Sequence, residues 1–231
     1  MHPYTTSDAL LEALKEVGVS YLFGNFGSDH PPIIEALAKA REQKKDVPKV
    51  IICPHETVAL TAAHGYALVT GRPQCVMVHV DVGTQNLGGA LHNVFRARVP
   101  VIIFAGETPF TMEGELRGTR SWPVNHIQDV FDQRGIVRSY VKWDYSIRTG
   151  KNVKQLVYRA AQLAVSDPKG PVYLTGAREV LAEEAVPAAD TSQQWAGTES
   201  SSLPAKGVRE IAEALANAEN PLIITSYLGR N

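Results

Sequence analysis

The sequence predicts an α/β fold: a doubly wound, mostly parallel sheet with helices on both faces, followed by a linker and the start of a second α/β domain. Three observations predict it. Short β-branched runs alternate with helical patterns as far as about Leu181. The runs are apolar at consecutive positions, as strands covered on both faces are. Beyond Leu181 the texture changes to "LAEEAVPAADTSQQWAGTESSSLP", rich in Ala, Ser, Pro and polar residues, and this reads as a linker between domains.

The elements follow in order. A first helix begins near Thr6, with Thr6 or Ser7 as its N-cap and Leu10, Leu11, Leu14 and Val17 on one stripe. Strands are expected over 19–23, 49–53, 75–80, 100–106 and 171–176, and further helices from Pro31, Glu56, Thr84 and Lys151. Ser28 or Asp29 is placed to cap the Pro31 helix. The first domain is expected over 1–181, the linker over 182–203, and an incomplete second domain over 204–231, made of the helix "AKGVREIAEALANAEN" and the strand "PLIITSYLG". Such a short last segment cannot bury a core of its own.

Composition narrows the function classes. The chain has 231 residues, 44% hydrophobic and 20% charged, with a formal net charge of −1. The near-neutral balance and the absence of a basic run argue against a nucleic-acid partner. No apolar run is long enough to span a bilayer, and the N-terminus lacks a secretory pattern. The two cysteines, Cys53 and Cys75, lie in strand-like runs and read as reduced buried thiols. A soluble, cytoplasmic protein is expected.

In a doubly wound sheet, ligands sit beyond the carboxyl ends of the strands, so the loops there carry the interest. In "LFGNFGSDHPP", Gly24 and Gly27 allow tight backbone geometry. Ser28 is either presented to a ligand or part of a well-capped turn. In "PHETVALTAAHGYALVTG", Glu56 shares a helical face with Ala59, Leu60, Ala63 and Ala67, the face a globular protein buries. The acid there is either the favourable charge of a helix N-terminus or a carboxyl in a dry, alanine-lined slot whose pKa desolvation raises. A zinc-protease motif is excluded, because Val58, Ala59 and Leu60 stand where its second histidine would follow. In "VMVHVDVGTQNLGG", His79 ends a strand, where its near-neutral pKa suits acid–base work. Gly83 is expected to turn the chain ahead of a helix carrying Asn86, Gly88 and Gly89. The last two glycines cost that helix about 1 kcal/mol each relative to Ala, which tight packing would offset.

Taken together these stretches resemble the N-terminal, pyrimidine-binding domain of thiamine-diphosphate enzymes of the acetolactate synthase, pyruvate decarboxylase and benzoylformate decarboxylase group. The likeness runs from about Thr5 to Glu183 and rests on the order of "FGNFGS", "HE", "GYALVTGRPQ", "GTQN", "VPVIIFAGE", "VKWDY" and "GPVYL". It implies that the acid matching Glu56 bonds the pyrimidine nitrogen of thiamine diphosphate, so that the cofactor can lose its thiazolium proton and attack a small 2-oxo acid. Ser28 and His79 match the serine and histidine of benzoylformate decarboxylase, which implies carboxylate binding and proton relay. Gln128, in "HIQDV", resembles the glutamine of the acetolactate synthase "FQE" stretch. The resemblance thus implies Glu56, His79 and Ser28 as catalytic, Glu56, Gly27, Gly83 and Asn86 as cofactor-binding, and Ser28, His79 and Gln128 as substrate-facing positions.

The sequence departs from the pattern at Phe26, where proline is usual, at Val80, Asp81 and Val82, where small residues are usual, and at Glu107, where glutamine is usual and a charge would repel an anionic substrate. No Gly-Asp-Gly motif occurs. In the family this motif holds Mg²⁺ and the diphosphate in a separate domain, so the resemblance implies half a site on this chain, none of the metal ligands, a homo-oligomer, and a diphosphate-binding domain on another chain. It leaves FAD open. It implies a lyase or transferase when complete and inactivity of the chain alone. A non-catalytic dimerising or regulatory subunit is the alternative. A dinucleotide-binding oxidoreductase ranks below both, because no Gly-x-Gly-x-x-Gly follows the first strand.

Overall fold

The computed structural model describes residues 3–227. Its centre is a six-stranded, all-parallel sheet in the order β2-β1-β3-β4-β6-β5. The strands are β1 (Tyr21–Gly24), β2 (Lys49–Ile52), β3 (Gln74–Val78), β4 (Val101–Glu107), β5 (Asp144–Ile147) and β6 (Val172–Ala177). The helices are α1 (Thr6–Glu16), α2 (Pro31–Glu42), α3 (Glu56–Thr70), α4 (Val80–Gln85), α5 (Gly88–Arg96), α6 (Val124–Ile127), α7 (Val153–Val165), α8 (Arg178–Leu181) and α9 (Ala205–Asn217). The predicted fold class holds: this is an α/β sheet covered on both faces.

One apolar layer holds α1 and α7 through Leu10, Leu11, Leu14, Val157 and Tyr158 against Leu22, Met77, Phe104 and Leu174 of the sheet. The other holds α3 and α5 through Ala59, Leu60, Ala63, Leu91 and Val94 against Phe23, Val76, Val78, Ile103 and Tyr173. Adjacent strand residues thus enter opposite layers, as a period of two requires, and each fully buried Leu or Ile contributes roughly 1.5–3 kcal/mol. The outer strand β2 differs, since Ile52 is 67% exposed at the sheet edge.

Several local expectations change. Thr5, one residue before the expected cap, is the N-cap of α1; it forms a capping box with Asp8. Neither Ser28 nor Asp29 caps α2, whose N-cap is His30 with no side-chain capping bond. The helix expected from Thr84 begins at Val80 as α4 and resumes at Gly88 as α5, so Gly83 lies inside a helix and not in a turn. A side-chain carbon at Gly88 or Gly89 would meet nothing within 4 Å, so neither glycine is explained by packing within the described chain. Strand β5 was not foreseen; it joins the sheet only through β6.

Close contacts divide the chain into a unit reaching to Thr198 and a second from Glu199. In the first, the stretch after α8 folds back. Thr6 N–H donates to Glu183 O at 2.9 Å and Ala185 N–H to Tyr4 O at 2.9 Å. The Trp195 ring lies 6.4 Å from that of Tyr158. In the second unit, α9 buries none of its residues. Residues 221–225 form no strand, and the end of the strand expected there lies outside the described residues.

Candidate active site

The chain passes from β1 to β2 on one side and then to β3 on the other, so strand order reverses between β1 and β3. In open α/β sheets that crevice is where ligands bind. The residues after β1, β2 and β3 meet there. Glu56 opens α3 and is 5% exposed. Its helix buries Glu56, Ala59, Leu60, Ala63 and Ala67, the face the periodicity marked. Asn25 Nδ2 donates to Glu56 Oε1 at 2.9 Å and Asn86 Nδ2 to Oε2 at 3.0 Å. Gly83 lies against the same carboxylate; a side-chain carbon there would stand 3.3 Å from Glu56 Oε1 and 3.5 Å from His79 Cβ. Glu56 and His79 therefore flank one glycine.

Of the two readings of Glu56, the raised pKa of a dry slot does not hold. Burial does push it up, but its backbone hydrogen bond, the amides of Asn25 and Asn86, and nearby His55 together hold it below the ordinary carboxyl value. Donors aimed at the charged form outweigh partial desolvation.

His79 follows β3 as the N-cap of α4. Its Nδ1 pairs with Asp29 Oδ1 in a very short hydrogen bond. The Val80 N–H donates to Asp29 Oδ2 at 3.2 Å. Asp29, 2% exposed, also has Oδ1 3.0 Å from Nδ1 of the fully buried His30. Burial works to raise the Asp29 pKa, but His30 and His79 bring it well below the usual carboxylate range. The bond to Asp29 raises the His79 pKa; burial opposes this, and the charges of Asp29, Asp81 and Glu56 reinforce it.

Two glycines make room for this pair. A side-chain carbon at Gly27 would overlap the His79 ring, and one at Gly106 would overlap the Asp29 carboxylate. On its far side, His79 Nε2 lies 2.7 Å from Gln128 Nε2, and Thr108 Oγ1 donates to Gln128 O at 3.1 Å. Ser28 is half-buried in the same loop, and its carbonyl accepts from Arg178 Nη1 at 3.1 Å. Arg178 also bonds the carbonyls of Gly118 and Thr119, which ties the loop after β4 to the loop after β1.

Glu56, His79, Gly27, Gly83, Asn86 and Gln128 are thus brought into one connected network, and Ser28 stands on its border. Glu107 does not face this network as a bare charge. Its oxygens accept from Ser146 Oγ at 2.9 Å and from Thr175 Oγ1 at 2.5 Å, across β5 and β6. Sequence reasoning missed Asn25, Asp29 in its present role, and Arg178. Asn25 and Asp29 lie in a loop already singled out, but nothing local separates a helix-capping aspartate from one that reaches another strand's histidine. Among the described residues, no group of three or more His, Cys, Asp or Glu side chains is placed to hold a metal ion, and no helix is long and apolar enough to cross a membrane.

Comparison with known proteins gives this crevice its family. Residues 4–136 match the family model described as thiamine pyrophosphate enzyme, N-terminal TPP binding domain. The chain is 29% identical over 226 residues to a benzoylformate decarboxylase from Pseudomonas aeruginosa, an alignment covering 95% of this chain and 39% of the relative. It is 30% identical over 176 residues to an acetolactate synthase from Arthrospira platensis, covering 76% of this chain and 28% of that protein. Among solved structures, the thiamine diphosphate-dependent 4-hydroxybenzoylformate decarboxylase of Rhodococcus jostii RHA1 superposes with a TM-score of 0.72 at 27% identity, over 94% of this chain and 38% of that one. The chain therefore spans less than two fifths of the length of these relatives. The matched region contains β1 to β4 and every residue of the network around Glu56 and His79, and the chain belongs to the thiamine pyrophosphate enzymes as their N-terminal TPP binding domain.

Proposed function

We propose that this chain is the N-terminal part of a thiamine-diphosphate-dependent 2-oxo-acid decarboxylase or carboligase, and that Glu56 is the carboxylate that engages the cofactor's aminopyrimidine. The observation that carries this reading is a buried acid at the strand-order reversal, held by two amides against a glycine. The donor set suits the cofactor. Each Glu56 oxygen spends one lone pair on an asparagine and keeps another for a ring N–H, and Gly83 leaves the space beside Oε1 clear of side chain. When bound, thiamine diphosphate supplies an electron sink for the carbanion that decarboxylation leaves.

The chain's own residues divide the remaining work. Glu56 holds a proton at the pyrimidine nitrogen, and help of this kind is worth roughly 10²–10⁴ in rate. Because Asn25 and Asn86 keep Glu56 ionised, closure of the crevice by a second domain, which removes water, is what would make its carboxyl proton-sharing. Gly27, Gly83 and Asn86 line the cofactor side. Ser28 binds the substrate carboxylate, His79 relays protons, and Gln128 faces the substrate. Mg²⁺ and the diphosphate belong to a domain supplied by another chain of a homo-oligomer, and the residues from 204 onward begin a middle domain.

Isothermal titration with thiamine diphosphate and Mg²⁺ tests the division of the site. Tight binding requires the diphosphate domain, so tight binding by this chain alone would count against the reading. In the assembled enzyme, Glu56→Gln is expected to slow proton–deuterium exchange at the thiazolium carbon by about 10²-fold or more. An unchanged exchange rate removes Glu56 from its role.

A further inference from the structure

We propose that Asp29 is the positioning residue for His79: its buried carboxylate fixes the imidazole with the proton on Nδ1 and turns the lone pair of Nε2 toward Gln128. The inference rests on the reading of His79 as a site residue, and it assigns Asp29 a task that neither capping nor packing requires.

The geometry leaves little choice. Asp29 is 2% exposed and reaches past its own helix to a histidine fifty positions away. An ionised carboxylate only accepts hydrogen bonds, so the Nδ1 facing it carries the proton. In a neutral imidazole that leaves Nε2 bare, and the Gln128 amide group 2.7 Å from it is the donor. The Val80 N–H on Asp29 Oδ2 fixes the rotation of the carboxylate from the third side. The space is made deliberately. Gly106, near the carboxyl end of the central strand β4, admits Asp29, and Gly27 admits the imidazole; any larger residue at either position overlaps the pair. A capping aspartate would need neither glycine.

The charged groups around His79 are Asp29 from the β1–α2 loop, Asp81 on α4 and Glu56 on α3, with His30 sharing the Asp29 carboxylate from behind. All three carboxylates favour the imidazolium. A ligand that uses Nε2 must displace the Gln128 amide, which sits in the loop that Thr108 and Arg120 restrain.

The test is long-range ¹H–¹⁵N NMR on the ¹⁵N-histidine-labelled 231-residue chain, with His79 assigned by loss of its signals in His79→Gln. The expected result is an Nδ1–H tautomer at high pH and a titration midpoint above the ordinary histidine value of about 6.5. In Asp29→Asn that midpoint should fall by about one unit or more, the usual effect of losing an opposite charge at hydrogen-bond distance. An Nε2–H tautomer in the unmodified chain overturns the proposal and needs no variant to fold. An unchanged midpoint in folded Asp29→Asn overturns it as well. These measurements involve no cofactor, so their failure leaves the role of Glu56 standing. Tight cofactor binding by this chain alone would instead remove the functional reading and leave the Asp29–His79 pair intact.

Discussion

Gly106→Ala is the sharpest test of how the crevice is built. Gly106 lies near the carboxyl end of the central strand β4, paired with Gly176 of β6 one residue beyond the last pairing of β4 with β3, and its carbonyl accepts from Gln133 Nε2 at 2.7 Å, which restrains the backbone. A methyl group there would overlap the Asp29 carboxylate and stand 2.5 Å from Asp29 Cβ, about an ångström inside normal carbon–carbon contact. Asp29 must therefore leave. It gives up its bond to His79 and the Val80 N–H, and it leaves that N–H and His79 Nδ1 short of partners. Breaking a buried charged pair costs about 3–5 kcal/mol. Replacing a strand glycine by alanine returns roughly 0.5–1 kcal/mol of chain entropy. The net expectation is a loss of about 2–4 kcal/mol, read from the urea midpoint by far-UV circular dichroism. Asp29→Gly removes the three atoms nearest the new methyl, so Gly106→Ala should cost far less in that background, with a coupling of about 1.5 kcal/mol or more. A single-mutant cost below about 0.5 kcal/mol, or simple additivity, would refute the claim that Gly106 exists to admit Asp29.

Three further outcomes are expected. Thr5→Ala removes the side-chain half of the capping box, in which Thr5 Oγ1 accepts from the Asp8 N–H at 3.4 Å, and should cost about 1 kcal/mol in urea unfolding. Arg178→Met strands the carbonyls of Ser28, Gly118 and Thr119; a loss of about 2–4 kcal/mol and faster proteolysis between Pro109 and Ser121 should accompany it, and an unchanged cleavage pattern would show that the loop is held by other means. The Asp29–His79 pair should also mark the pH profile. The lowered Asp29 pKa contributes stability that is present above the ordinary carboxyl pKa and lost as pH falls through the folded value. The raised His79 pKa contributes stability that is full below the ordinary histidine pKa and lost as pH rises through its folded value. The stability difference between the chain and His79→Gln should thus be largest between about pH 4 and pH 6.5; a flat difference across pH 4–9 would contradict it.

Much of this was visible before any coordinates. The alternation of apolar strands with amphipathic helices announced the doubly wound sheet, and four of the expected strands overlap β1 to β4 within a few residues. The face of α3 was legible in full, because helical spacing alone places Glu56 with its alanines and leucine. The loops after β1, β2 and β3 were marked as the place to look. Strand β5 was hidden for a physical reason: "DYSI" opens on a charged residue and lies at a sheet edge with only its last residue fully buried, so it lacks the apolar run by which central strands announce themselves. The split between α4 and α5 was hidden too, since nothing in "VDVGTQNLGG" separates a glycine in a short helix from a glycine in a turn.

The sequence by itself determined the fold class, the buried face of Glu56 and the family pattern, because these rest on periodicity and order along the chain. Tertiary structure decided that Asp29 reaches His79 across fifty residues rather than capping its own helix, that Asn25 and Asn86 converge on Glu56, and that Glu56 stays ionised in a slot that looked dry enough to protonate it. The physical reason is common to all three. A side chain's charge state depends on which donors and acceptors face it in space, and those partners come from other strands, whose register no local pattern encodes.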